Sequence, residues 1–346
     1  MKTRGIAAMQ KNGPMDRFEF ERREIGDLDV AFEIKYAGIC HSDIHQVREE
    51  WGPSIFPMVP GHEIVGIVSN IGKSVSKFKI GDRIGVGVFI DSCGKCDPCK
   101  SGNEHFCDEG CTGTYNGYER DGKTVAYGGY SKDFVINEKY GFRIPNNLDL
   151  AGVAPLLCAG ITLYSPIKHW KVGPGMQVAI MGLGGLGHMG VKFAAAMGAD
   201  VTVLSHSASK REDALRFGAK EFIHVKTNDD LKPLRRKFDL ILNTVSALVD
   251  INRYVQTLKI DGTLVVIGLP DQPYAVNAGN LLDGRKSISG SMIGGLPETQ
   301  EMLDFAGSHN IVSEVELINA DYVDTAYERT VASDVKYRFV IDTATI

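Results

Sequence analysis

Hydrophobic and polar positions along the chain fall into two textures. Up to about residue 150 the apolar runs are short. Residues 30–39, Val-Ala-Phe-Glu-Ile-Lys-Tyr-Ala-Gly-Ile, largely alternate apolar with polar or small side chains, as a half-buried strand does. Residues 63–88 hold two more β-branched runs punctuated by Gly66, Gly72, Gly81, Gly85 and Gly87. Many short strands with frequent turns predict a barrel-like, β-rich unit. From about Gln177 the pattern changes. Residues 177–182 read as a buried strand and 188–197 as a helix stopped by Gly198. A strand at 200–205 precedes a helix at 210–217, where Ser209 and Glu212 stand at capping-box spacing. Further strands are expected at 221–225, 238–245 and 263–269, the last preceded by a helix over 250–259. Strands alternating with helices predict a parallel, doubly wound sheet, so the fold class is α/β with a separate β-rich part. The tail after about residue 292 fits neither pattern clearly.

Composition narrows the functional classes. A length of 346 residues suggests roughly two domains. The 38 Lys and Arg against 43 Asp and Glu give −5, no global attraction for nucleic acid or an anionic membrane. Hydrophobic residues at 43% and charged residues at 23% are ordinary for a globular chain and argue against disorder. Residues 1–20 carry only a four-residue apolar run at 6–9, too short for the core of a signal peptide. The longest stretch free of Asp, Glu, Lys and Arg, residues 172–191, contains seven glycines and Pro174, so it reads as strand and turn instead of a span. A cytoplasmic location is the expectation.

Seven cysteines, an odd number in such a chain, point to metal or catalysis before disulfides. Cys93, Cys96, Cys99 and Cys107 place four thiols within fifteen residues, with Gly94, Pro98 and Gly102 supplying turns. Four thiolates close a tetrahedral zinc shell with no position left for water, so this predicts a structural zinc. A zinc-ribbon grip on nucleic acid is the rival, disfavoured by the acidic balance and the lack of a basic stripe. Cys40, His62 with its neighbour Glu63, and Cys158 are dispersed. Two cysteines and one histidine would leave the open position that a catalytic zinc needs. Spacing does not show that they meet, and a lone Cys158 in an apolar run would ordinarily be a small core residue. Cys111 has no assigned role.

The run Gly182-Leu183-Gly184-Gly185-Leu186-Gly187 follows a predicted strand and leads into a predicted helix. In that context a G-x-G-x-x-G turn is a dinucleotide fingerprint, because glycines let backbone N–H groups approach a pyrophosphate at a helix N-terminus. An NAD site usually ends its second strand in Asp or Glu. Here Ser205 ends it, and Ser207, Lys210 and Arg211 follow: two hydroxyls and two cations that suit a 2′-phosphate. NADP(H) over NAD(H) is therefore expected, the alternative being a helix start whose Lys210 and Arg211 merely face water.

Cys40-His-Ser-Asp43, Gly61-His62-Glu63-x2-Gly66-x5-Gly72, the four-cysteine loop, Cys158-Ala-Gly-Ile-Thr and the glycine run occur together in one order. The chain resembles the zinc-containing medium-chain alcohol dehydrogenases. Cys158-Ala-Gly-Ile-Thr-Leu-Tyr-Ser-Pro166 and residues 182–190 place it near their cinnamyl alcohol dehydrogenase branch. The resemblance spans essentially the whole chain. It implies a GroES-like catalytic domain at 1–151 and 292–346 and a Rossmann NADP(H)-binding domain at 152–291. It implies two zinc ions per subunit, the catalytic one held by Cys40, His62 and Cys158, with Glu63 beside it and Asp43 steadying His62. Ser42 and His45 match the family's proton relay. His41, Thr162, Ile267, Gly268 and Arg338 match cofactor contacts, although many NAD-using relatives carry arginine at the position of His41. Residues 287–295 match the edge through which these enzymes form homodimers. The implied activity is hydride transfer between primary aromatic or aliphatic alcohols and their aldehydes. A polyol or secondary-alcohol dehydrogenase on the same scaffold is the alternative, and a non-enzymatic zinc and NADP(H) sensor or a zinc-free quinone reductase fits the donor set poorly. Trp51, Tyr115 and Met292 are candidate pocket-lining groups, although such residues are more often plain core.

Overall fold

The structure is a computed structural model describing residues 1–346. It forms two compact units, Met1–Ile161 with Gly294–Ile346, and Thr162–Ile293. The junctions fall at 161/162 and 293/294, against the expected 151/152 and 291/292. The first lies inside one continuous helix, Ala159–His169, which the residue pattern did not mark.

The first unit is built on a seven-stranded sheet. Its path runs Phe142–Arg143, Arg83–Val86, Ile64–Ile71, Asp29–Gly38, Arg338–Asp342 and Val315–Ile318, with Asp133–Asn137 also paired to Asp29–Gly38. Asp29–Gly38 is central and largely buried on both faces, which explains why its alternation was imperfect. The C-terminal tail supplies one of its neighbours: Val340, Ile341 and Asp342 pair antiparallel with Gly38, Ala37 and Tyr36. One core of this unit gathers Ile6, Phe20, Ile44, Val59, Tyr130, Val323, Tyr327 and Phe339. Immediately after the central strand, Cys40 caps the short helix His41–Val47. Asp43, three residues on, closes the turn by accepting the Cys40 N–H at 2.8 Å.

The second unit is a six-stranded, wholly parallel sheet in the order Glu221–His224, Asp200–Ser205, Gln177–Met181, Phe238–Asn243, Leu258–Val266 and Ser287–Gly290. Counted along this unit the order is 3-2-1-4-5-6, so direction reverses beside the first strand, where open α/β sheets bind their ligands. Two local expectations are corrected. The helix expected over 250–259 is only Ile251–Val255, and the following strand begins at Leu258, five residues earlier than its β-branched run suggested. Leu258 is already paired with Phe238, and sheet pairing there outweighs helix continuation. The capping box at Ser209 and Glu212 does not form. The chain enters a 3-10 turn, Ala208–Lys210, from extended backbone at Ser207, so the helix Arg211–Arg216 follows a residue that is already helical. No single helix is long and apolar enough to cross a membrane.

Candidate active site

The first unit holds two groups of metal-ligating side chains. In each, one donor atom per residue lies within 4.8 Å of the others: Cys93, Cys96, Cys99 and Cys107, and Cys40, His62, Glu63 and Cys158. Local sequence explains the first. The Asp97–Lys100 helical turn starts at Cys96 with Pro98 in its first turn, and Gly94 takes a φ of +69°. The Cys93 and Cys99 sulfurs lie 3.9 Å apart, as do those of Cys96 and Cys107. That is too long for a disulfide. It matches the roughly 3.8 Å edge of a tetrahedron with metal–sulfur bonds of about 2.3 Å. Backbone N–H groups of Lys95 and Cys96 point at the Cys93 sulfur and pull its thiol down to about 6, favouring the thiolate that a metal needs.

The second group is assembled from far apart in the sequence. Cys40 lies two residues past the central strand, at the cap of the helix His41–Val47. His62 and Glu63 enter the neighbouring strand from Gly61, whose φ of +102° and close approach to Tyr130 suit glycine. Cys158 follows the 3-10 turn Ala154–Leu157. All four are buried. The Cys40 and Cys158 sulfurs are 3.9 Å apart, and a hydrogen bond between them lowers the Cys40 thiol while raising that of Cys158. His62 Nδ1 faces Asp43 Oδ1 at 3.3 Å, and Nε2 is buried with no hydrogen-bond partner. A buried lone pair without a donor, beside two sulfurs at tetrahedral spacing, fits a zinc ion. Burial works against charge on His62, but Asp43 and Cys40 together outweigh it and raise the imidazole above its ordinary value.

Glu63 is ion-paired with Arg338 through one oxygen and leaves Oε2 without a partner. Burial opposes the charge on Arg338, yet Glu63, Cys40 and Cys158 hold its guanidinium above the usual arginine range. Arg338, expected to face a cofactor, thus spends one nitrogen on Glu63, while its Nε has no partner. Ser42 Oγ lies 3.5 Å from the Cys40 sulfur. His45, one turn on, engages Glu50 through Nδ1, and its ring stacks on Trp51 at 4.6 Å and meets the His41 ring, tilted, at 4.9 Å. Tyr115 lies parallel to the His62 ring, 5.7 Å away, and Met292 is exposed in the second unit. Glu50 was missed, although a carboxylate five residues after His45 was a usable signal. Tyr130, whose hydroxyl meets Asp43 at 3.0 Å, had none.

In the second unit the glycine run joins the strand Gln177–Met181 to the helix Gly187–Ala196. A Cβ on Gly187 would come within 2.1 Å of the Gly182 carbonyl, whereas Gly184 faces open space. Lys210 reaches back to this turn, its Nζ 2.8 Å from the Leu183 carbonyl. Ser205 Oγ accepts the Ser207 N–H at 3.2 Å, so both hydroxyl residues cluster at the strand end. Arg211 turns the other way: it donates to the Phe222 carbonyl and lies over the Phe222 ring. Ile267 and Gly268 follow the fifth strand, both donating to Asn243 O, and Thr162 is buried on the helix Ala159–His169.

Cysteine–histidine metal groups in one unit and a dinucleotide-type sheet in the other are the parts of a metal-dependent dehydrogenase. The chain belongs to the zinc-binding alcohol dehydrogenase family. Residues 26–146 match its alcohol dehydrogenase GroES-like domain, and residues 185–308 match its zinc-binding dehydrogenase domain. Over 98% of this chain and 97% of the relative, it is 55% identical to NADP-dependent alcohol dehydrogenase C 1 of Mycolicibacterium smegmatis. Among solved structures, a cinnamyl alcohol dehydrogenase of Sorghum bicolor superimposes with a TM-score of 0.96 at 42% identity, covering 99% of this chain and 98% of that one. The CAD of Helicobacter pylori complexed with NADP(H) does so at 0.93 and 42%, covering 99% of both.

Proposed function

We propose that the protein is a zinc-dependent, NADP(H)-linked oxidoreductase interconverting primary aromatic and aliphatic alcohols with their aldehydes, in the manner of a cinnamyl alcohol dehydrogenase or aldehyde reductase. The observation that carries this reading is the meeting of Cys40, His62 and Cys158 around a buried nitrogen that has no other partner. Relatives named for NADP and for cinnamyl alcohol support the cofactor and substrate class.

When bound, zinc supplies a Lewis acid for the substrate oxygen, and the nicotinamide ring supplies the hydride exchange. Cys40, His62 Nε2 and Cys158 are the proposed ligands, with Glu63 beside them and Asp43 orienting the His62 ring. Ser42 takes the hydroxyl proton and His45 passes it to solvent. Glu50 engages Nδ1 of His45, which directs exchange to Nε2. The four-cysteine group is proposed to hold the structural zinc. The turn from Gly182 to Gly187, with Thr162, Ile267 and Gly268, is the proposed seat of the dinucleotide. Ser205, Ser207 and Lys210 favour a 2′-phosphate, because the strand end offers hydroxyls and a cation and no carboxylate. Arg211 contributes less, since its guanidinium is engaged with Phe222.

A homodimer and a cytoplasmic location complete the proposal. Ser287–Gly290 is an edge strand of its sheet, and all seven cysteines are unpaired, as in a reducing compartment. The test is NADPH consumption with cinnamaldehyde, with NADH and with sorbitol oxidation alongside, on protein of measured zinc content. Fast NADPH-dependent turnover with two zincs per chain is the expected result. Turnover with NADH alone overturns the cofactor assignment, and preference for sorbitol overturns the substrate class.

A further inference from the structure

We propose that Tyr130 is a positioning residue for the metal site: its buried hydroxyl, backed by that of Tyr327, locks the carboxylate that orients His62. The inference rests on reading Cys40, His62 and Cys158 as the ligands of a zinc ion.

Asp43 is fully buried. Its Oδ2 accepts the Cys40 N–H at 2.8 Å and the Tyr130 hydroxyl at 3.0 Å, while Oδ1 accepts the Gly61 N–H at 3.2 Å and faces His62 Nδ1 at 3.3 Å. The contact to His62 is the longest of these and exceeds the usual 2.7–2.9 Å of a charge-assisted bond. A carboxylate held only by that contact would aim the imidazole poorly. What fixes Asp43 is therefore the set of other donors around it, to which Tyr130 contributes a side-chain hydroxyl.

Tyr130 is well placed to be rigid. It is fully buried, its N–H bonds the Pro60 carbonyl at 3.0 Å, and its neighbour Gly129 bonds Gly61 at 2.9 Å. The tyrosine thus rides on the segment that delivers His62, with its ring against the open face of Gly61. Behind it, Arg22 grips the Gly128 carbonyl and the Ser131 hydroxyl, each at 2.8 Å. Tyr327, buried on the helix Val323–Val331, donates to the Tyr130 hydroxyl at 3.5 Å. A hydroxyl that accepts one hydrogen bond gives a stronger one onward, so Tyr327 reinforces the hold on Asp43. The chain Tyr327, Tyr130, Asp43, His62 joins residues more than 280 positions apart, and none of the motifs contains either tyrosine.

The test uses the full chain in its zinc form and after cobalt exchange, comparing wild type with Tyr130→Phe and Tyr327→Phe. Outer partners of metal ligands typically alter metal affinity or activity by 10–100-fold. Tyr130→Phe is expected to release one of the two metals about tenfold faster to a chelator and to shift the visible cobalt bands. It should lower kcat by a similar factor while the KM for NADPH stays unchanged. Tyr327→Phe should shift the same readouts in the same direction by less, and it carries the test if Tyr130→Phe does not fold. Wild-type metal release and cobalt bands in both variants overturn the positioning role. A wild-type protein that binds only one metal overturns the metal reading itself, which is a separate failure.

Discussion

At the strand end after Asp200–Ser205 the two cations divide, because Lys210 Nζ sits at the Leu183 carbonyl of the glycine turn while the Arg211 guanidinium is spent on the Phe222 carbonyl. A charged hydrogen bond contributes about 1.5–3 kcal/mol, so Lys210→Ala should lower kcat/KM for NADPH by roughly 10- to 100-fold and leave NADH nearly untouched. Arg211→Ala should cost much less with NADPH, and steady-state kinetics with both cofactors checks the pair. Equal losses in the two variants would show that the structure does not rank them. The sequence made the cluster of hydroxyls and cations legible because it needs only residue types. Which cation serves it was not legible, since side-chain direction depends on Phe222, eleven residues on. Asp43 and Tyr130 show the same limit over a longer reach: 87 residues separate them, and only the fold brings them to 3.0 Å.

At the scale of elements, the parallel strands of the second unit were legible wherever burial wrote a continuous apolar run, and Asp200–Ser205 matches its expected span. Errors arose where pairing overrode local pattern, as at Leu258, and where backbone entry decided the cap, as at Ser207. The four-cysteine loop was legible because all its donors lie within one short segment. Its regular structure is one helical turn, Asp97–Lys100, and one 3-10 turn, Glu104–Phe106, so its order should depend on the metal. Cys99→Ala is expected to remove one zinc and at least about 3 kcal/mol of stability. At roughly 2–4 °C per kcal/mol this lowers Tm by about 6–12 °C, read by metal analysis and thermal unfolding. Lys286, at the start of the edge strand, gives a test with a definite sign. Burial pulls its ammonium below the ordinary 10.5, with Asp283 offsetting part of the shift. Between the folded and unfolded values the unfolded chain binds more protons, so stability rises with pH through that window and is level, with the burial penalty fully present, below it. Lys286→Met should therefore melt higher than wild type near neutral pH, and the gap should close toward pH 10.5. A gap that is constant with pH would remove Lys286 from the account.

For the whole molecule the division of labour matters more than any single contact. Every proposed zinc ligand lies in Met1–Ile161, whereas the glycine turn and Ser205 to Lys210 lie in Thr162–Ile293. The texture change near Gln177 announced this division. The return of the tail to the first unit was implied only by resemblance, because pairing of Arg338–Asp342 with Asp29–Gly38 leaves no local mark in either segment. Since the two chemistries are built by separate units, removing the metal should not dismantle the dinucleotide seat. Dialysis against a chelator, or His62→Ala, is expected to reduce turnover to below about 1% of wild type, the scale of losing a Lewis acid worth several kcal/mol. NADPH affinity, followed by quenching of Trp170 and Trp51 or by calorimetry, should change less than about threefold, under 0.7 kcal/mol. Loss of both together would mean that the metal organises the dinucleotide seat as well, and the separation of roles drawn from the two units would fail.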